Sequence, residues 1–319
     1  MDQRFSVQLK DSTRSMHDFL SSTPGAATLL AGQMSKEAYA LYLFGIWHLY
    51  DALEPALDLH STHPVLAPVY NPTLLRRKES ISSDIAYFLG CSSTSPSEWQ
   101  QHPLYTESFL PIPAPIAAYV SHINTLSQSP DPSLLLTHSY IRYVGDMNGG
   151  QIIKRVLMKA YNLTDERSMS FYAFAKLGGA SGEMASNMGD VAKLIKWYKA
   201  GMDEGVGDNM ELREKLIEET LTAYKFNGAI FDLITPATTT VEDSDDTAKV
   251  PSSANHSSMH LSTMGKAYLP LFGIGAAAVL AHLIMIPRAG LREAEVGAAG
   301  CLFLNTTTKW MTAVAGSTM

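Results

Sequence analysis

The 319-residue chain carries 24 Lys and Arg against 31 Asp and Glu, a formal charge of -7, and only 17% of its residues are charged, below the ~25% common in soluble domains. That balance leaves no basic footprint for nucleic acid, which is therefore not an expected partner. Two cysteines, Cys91 and Cys301, are too few and too far apart for a disulfide framework or a zinc site, and they fit a reducing compartment.

In chain order, the first twenty residues contain Arg4, Lys10, Asp11, Arg14, His17 and Asp18, which interrupt any secretory apolar run. Phe5, Leu9, Thr13, Met16 and Leu20 recur at helical spacing, as do Tyr39, Tyr42, Leu43, Ile46, Trp47, Leu49, Tyr50 and Leu53. Further helical patterns cover residues 80 to 90, 112 to 127, 133 to 160, 190 to 202 and 209 to 235. Sustained period-2 alternation is absent, so an all-α domain is expected over residues 1 to 235. Joints such as His63-Pro64, Ala67-Pro68, Asn71-Pro72 and the Pro111 to Pro115 stretch mark connections, because proline lacks a donor and restricts its predecessor.

Residues 236 to 266 turn to Thr, Ser, Asp and Ala and read as a flexible polar linker that cannot bury enough surface to offset its ordering entropy. Residues 267 to 287 then carry no formal charge. They amount to roughly 30 Å of helix, about one hydrocarbon core, and predict a C-terminal transmembrane helix. A buried helix is the bland alternative. Residues 288 to 319 form a tail that is again partly apolar and has no physical account.

The most informative segment is Tyr140-Ile-Arg-Tyr-Val-Gly-Asp-Met-Asn-Gly-Gly-Gln151, where helical spacing continues through Gly145, Gly149 and Gly150. Each glycine inside a helix costs about 1 kcal/mol relative to alanine, so the cluster needs a reason. An interhelical loop or close helix packing is one. The other is that backbone without Cβ atoms lets a flat ligand lie on the helix and permits a kink, with Asp146 facing a cavity. A lone His17 on a partly apolar face is ordinarily a packed residue. Lys10 lies seven residues earlier on the same helical face, on the order of 10 Å away, and an imidazole with a cation at that offset suits a metal-centred ring bearing carboxylates.

These residues resemble the haem oxygenase family. Residues 140 to 151 are similar to its distal-helix motif Tyr-x-Arg-Tyr-(Leu/Val)-Gly-Asp-x-(Ser/Asn)-Gly-Gly-Gln, almost position for position. Leu9-Lys10-x-x-Thr13-x-x-x-His17 resembles its proximal helix, and Tyr39 to Glu54, Pro64 to Tyr70 and Glu218 to Phe231 extend the likeness across residues 1 to 235. The resemblance implies a multi-helix domain holding haem between a proximal and a kinked distal helix. It makes His17 the axial ligand of haem iron, sets Gly145 and Gly149 on the distal face of the ring, and gives Asp146 a water network that protonates bound oxygen so that a ring meso carbon is attacked. Tyr50, Arg142 and Asn227 match positions of that distal network. Lys10 and Tyr140 match positions near the propionates, and Phe231 either lines the pocket or belongs to the core.

The family's other propionate contacts are a lysine and an arginine on one helix, where this chain has Ile195-Lys196-Trp197-Tyr198-Lys199. Lys199 falls on the arginine position and Lys196 stands one residue displaced from the lysine. A lysine lacks the bidentate fork of arginine, so haem orientation is less firmly set. The implied reaction consumes three O2 and seven electrons per haem and yields biliverdin, carbon monoxide and ferrous iron. Electrons would come from NADPH through an external flavoprotein reductase, since no dinucleotide-binding glycine motif is found. By the same resemblance the protein is a tail-anchored resident of the endoplasmic reticulum membrane with its catalytic domain in the cytosol. Of the sequons at Asn162, Asn255 and Asn305, only Asn305 would then be lumenal. Alternatives are a haem-binding or sensing protein without turnover, which would not need Asp146, a non-enzymatic membrane-tethered scaffold, and a di-iron oxidase, which would need Glu-x-x-His pairs that do not occur.

Overall fold

The helical spacing becomes helices throughout the residues that the computed structural model describes, 3–91, 98–180, 182–185 and 187–233. The linker, the expected membrane helix, the tail and two of the three sequons lie outside these residues. Among the described residues no helix is long and apolar enough to cross a membrane. No strand occurs among them either, only one isolated bridge between Ala175 and Met184 in the loop ahead of the last two helices.

The N-terminal pattern divides into α1 (Phe5–Ser12), α2 (Arg14–Ser21) and α3 (Pro24–Leu30). The long α4 (Lys36–Leu59) starts where Ser35 Oγ accepts a hydrogen bond from Ala38 N at 3.1 Å. Short α5 (Pro72–Leu75) precedes α6 (Lys78–Leu89), and α7 (Pro103–Ser108) precedes α8 (Ala114–Gln128). Then come α9 (Leu135–Ser139), a π-helical stretch (Tyr140–Val144), α10 (Gly145–Ala160), α11 (Met188–Val206) and α12 (Met210–Leu233).

The expected joint at Asn71-Pro72 is a helix start, and two further prolines act in the same way. Pro24, Pro72 and Pro103 each open a short helix, where the missing N–H would have had no intrahelical partner, and Asn71 Oδ1 caps α5 by accepting from Leu74 N at 3.1 Å. The pattern read over residues 133 to 160 is not one uniform helix either. The π stretch inserts a change of pitch directly before Gly145, a common cause of a kink.

Glycines and buried carboxylates lock the helices together. A Cβ on Gly201 would lie 2.5 Å from the Pro68 carbonyl oxygen and one on Gly205 would lie 2.6 Å from that of Val65, so α11 rests directly on the backbone of the 65 to 68 turn. Gly228 of α12 instead makes room for a side chain, Leu20 Cδ2 of α2, at 2.6 Å. Glu54 of α4 accepts from Arg77 N and Lys78 N at 2.5 and 3.2 Å, capping α6 from outside. Asp84, fully buried on α6, accepts from Ser170 N and Phe171 N at 2.8 and 2.9 Å and fixes the 3-10 segment Glu166–Tyr172 behind α10.

Candidate active site

The π stretch turns Arg142 inward, and α10 then begins with Gly145 and Asp146. Arg142 and Asp146 stand one helical turn apart, both buried. Arg142 Nη2 donates to Asp146 Oδ1 at 2.8 Å and Oδ2 at 3.0 Å, while Arg142 Nη1 donates to Asn227 Oδ1 of α12 at 2.8 Å. The Tyr50 hydroxyl, from α4, donates to Asp146 Oδ2 at 2.5 Å. The four polar residues named from the sequence for the distal network thus form one connected cluster drawn from three segments.

Burial pushes the Asp146 carboxyl above the ordinary aspartate range, and Arg142 and the Tyr50 hydrogen bond pull the other way. Burial opposes the Arg142 charge as well, and Asp146 with the surrounding tyrosines outweighs it. The pair is therefore a held carboxylate whose protonation is easier than that of an exposed aspartate.

The glycines divide. A Cβ built on Gly145 or Gly149 meets nothing within 4 Å, whereas one on Gly150 would lie 2.4 Å from the Tyr172 ring. The cluster divides by position: Gly150 permits close packing, and at Gly145 and Gly149 the helix surface is unobstructed. An interhelical loop is excluded, since residues 145 to 160 are helical.

His17 is exposed, with its side chain 51% accessible, and its Nδ1 stands 3.2 Å from Asp18 Oδ1. Its ring makes an edge contact with Tyr224 of α12 at 6.3 Å between centroids. Thr13 divides the expected proximal helix, with φ -109° and ψ 4° between α1 and α2. The hydrogen bonds nevertheless run through it, from Thr13 N to Leu9 O and from His17 N to Thr13 O, both at 3.1 Å, so Lys10 and His17 keep an approximate helical relation. Burial makes the Lys199 ammonium of α11 easier to deprotonate, and the charge of exposed Lys10 adds to this while Asp203 opposes it. The two lysines put positive charge on the same region. Lys196 lies exposed one turn before Lys199, and Tyr140 is buried near Tyr224.

Helix α12 is the wall common to both sides: Tyr224 and Gly228 face α2, while Asn227 faces Arg142. Phe231 stacks on Tyr42 at 6.0 Å. Two residues not singled out from the sequence join the cluster. Tyr42 lies close enough to Arg142 and Asp146 for their charges to act on its hydroxyl, though burial raises it more, and the Tyr119 hydroxyl accepts from Asn227 Nδ2 at 3.3 Å. Tyr42 was reachable, since Tyr39, Tyr42, Ile46 and Tyr50 share a helical face and a buried tyrosine hydroxyl needs a partner. Nothing local marks Tyr119.

Bare helix at Gly145 and Gly149, an accessible imidazole at His17 and the lysine pair together fit a flat metal-centred ring with peripheral carboxylates. The chain matches the family model described as "Heme oxygenase" over residues 3–232. A relative named "Heme oxygenase 2" from Oryctolagus cuniculus is 30% identical over 241 residues, 74% of this chain and 69% of the relative. "Heme oxygenase 1" from Homo sapiens is 28% identical over 233 residues, 73% of this chain and 72% of the relative. A solved heme oxygenase-1 from the cyanobacterium Synechocystis in complex with heme superposes with a TM-score of 0.59 at 25% identity, covering 73% of this chain and 92% of that one. Heme oxygenase 2 from Chlamydomonas reinhardtii, solved without heme, gives 0.59 at 25% identity, covering 74% of this chain and all (100%) of that one.

Proposed function

The chain belongs to the haem oxygenase family, and on that footing we propose that it opens haem oxidatively to biliverdin, carbon monoxide and ferrous iron, using O2 and electrons from NADPH through an external flavoprotein reductase. The observation that carries the reading is the juxtaposition of open backbone at Gly145 and Gly149 with the buried Asp146 carboxyl. Binding a ring requires the first; directing oxidation onto the ring itself requires a placed proton donor as well.

Haem, as substrate, supplies the iron at which O2 is activated. His17 would hold that iron, its Nε2 being the ring nitrogen left free by the contact of Nδ1 with Asp18. Lys10 and Lys199 receive the propionates, with Tyr140 and Lys196 nearby, and Phe231 closes the apolar flank beside Tyr42. Gly145 and Gly149 let the ring approach α10 closely enough to exclude bulk water from the face where oxygen reacts. Asp146, oriented from behind by Arg142 and Tyr50 with Asn227 fixing the Arg142 fork, would hold the water through which the proton is delivered. The reading extends to the endoplasmic reticulum membrane, with residues 267 to 287 as the tail anchor and the catalytic domain facing the cytosol.

The test is a single-turnover assay of the haem-loaded full chain with reductase and NADPH, following biliverdin by absorbance. Wild type is expected to convert haem to biliverdin, and His17→Ala to lose conversion with partial recovery on adding imidazole. A stable haem complex with no biliverdin would instead establish a binding or sensing protein. Undiminished yield from His17→Ala would refute the ligand assignment.

A further inference from the structure

Beyond the distal cluster, three ionisable side chains converge from three helices. His122 of α8 and His138 of α9 both direct Nε2 at one oxygen, Oε1 of Glu219 on α12, at 2.6 and 2.8 Å. One donor atom from each of the three residues lies within 4.8 Å of the other two. His138 is fully buried, while the side chains of His122 and Glu219 keep 27% and 12% of their exposure, so the cluster opens toward solvent on one side only. Phe226 covers it, with its ring 5.1 Å from that of His122 and stacked on Tyr119 at 4.8 Å.

We propose that His122, His138 and Glu219 form a binding site for a divalent first-row transition-metal ion of the Zn2+ or Fe2+ class, separate from the haem site. Two imidazole nitrogens and one carboxylate oxygen are the donor set of open zinc sites and of non-haem ferrous sites, whereas Ca2+ and Mg2+ select oxygen. The remaining coordination positions go to water, which the partly exposed edge at His122 admits.

The spacing is within reach of one ion. Nitrogen and oxygen ligands ~2.1 Å from a tetrahedral ion stand about 3.4 Å from one another. The present separations of 2.6 and 2.8 Å are those of hydrogen bonds, so binding would replace these bonds and part the Glu219 oxygen from the two imidazoles around the ion. Binding would displace the Nε2 protons. His138 would then carry its hydrogen on Nδ1, which stands 3.1 Å from the Tyr119 hydroxyl, the outer partner that orients a ligating histidine.

The inference rests on these residues and not on the haem reading. It is tested on the full chain, stripped with a chelator, by titration with Co2+ as a visible probe, by competition with Zn2+, and by anaerobic titration with Fe2+. Wild type and His122→Ala are compared, and His122→Asn is a second variant that keeps a hydrogen-bonding group at the solvent edge. One equivalent is expected in wild type, with visible Co2+ bands of low coordination number, and both variants should bind at least about 10-fold more weakly and lose those bands. Zn2+ should raise the Tm of wild type and leave that of the variants unchanged, whereas Ca2+ should do neither. Equal Zn2+ affinity in wild type and a folded variant, or no uptake by wild type at micromolar Zn2+, would overturn the proposal and leave a structural ion pair joining α8, α9 and α12.

Discussion

Gly149 and Gly150 stand side by side on α10, yet a methyl group built on the first meets nothing within 4 Å while one on the second would lie 2.4 Å from the Tyr172 ring. One face of the helix is held against the 3-10 segment that Asp84 fixes, and the other is left bare. The contrast shows how a single helix serves as both wall and floor. Its packed face sets the position of α10, and Tyr50 and Arg142 hold the Asp146 carboxyl in place. Preorganisation of this kind gives one buried carboxyl its leverage.

The largest expected effect lies on the open face. Asp146→Asn should keep haem bound through His17 but lower biliverdin formation by roughly 10² to 10⁴-fold, the range for loss of a positioned acid or base. Undiminished single-turnover yield would detach the carboxyl from the chemistry. Removing its partner tests the same cluster through stability. Arg142→Ala leaves Asp146 buried without its counter-ion and should cost about 3 to 5 kcal/mol in urea unfolding.

A paired substitution sharpens the comparison between the faces. Gly150→Ala should destabilise by about 1 to 3 kcal/mol, because the Tyr172 ring must move. Gly149→Ala should be neutral or stabilising by up to about 1 kcal/mol, since alanine is the better helix former and nothing obstructs it. The same Gly149→Ala should weaken haem binding in a spectroscopic titration. Equal Tm shifts for the two variants would remove the distinction.

Per pH unit, the effect of pH behind the packed face is smaller again. Burial, set against two backbone hydrogen bonds, raises the Asp84 carboxyl to about 7. A folded-state value above the unfolded one of ~3.9 means that Asp84's contribution to stability is fully present below pH ~4 and is lost as pH rises toward 7. Wild type should therefore lose stability relative to Asp84→Asn over that window, by on the order of 1 kcal/mol per pH unit. A difference independent of pH would contradict it. The smallest effect should come from His17→Ala on the haem-free chain. Its side chain is 51% exposed, so unfolding free energy should shift by no more than about 0.5 kcal/mol even as haem ligation is lost.

Much of this was legible in the residue order. The period of the apolar positions gave the helices, because burying one stripe is a local property of spacing. Pro24, Pro72 and Pro103 were harder, since proline both ends and begins helices, and the cap at Asn71 decides which only once the backbone is placed. The polar cluster was legible member by member through the family motif, but Tyr119 and the His122, His138 and Glu219 cluster carry no local signature. Their partners come from other helices.

The sequence by itself determined an all-helical domain, a glycine interruption too costly to be incidental, an acid beside it and a polar run of residues ahead of an uncharged one, because each of these is written in neighbouring residues. Tertiary structure alone decided which glycine is bare and which is packed, that Tyr50 reaches Asp146 across 96 positions and that Asn227 reaches Arg142 across 85. The physical reason is that a hydrogen bond or an open cavity belongs to the space between helices, and only their packing brings those surfaces within a few ångströms.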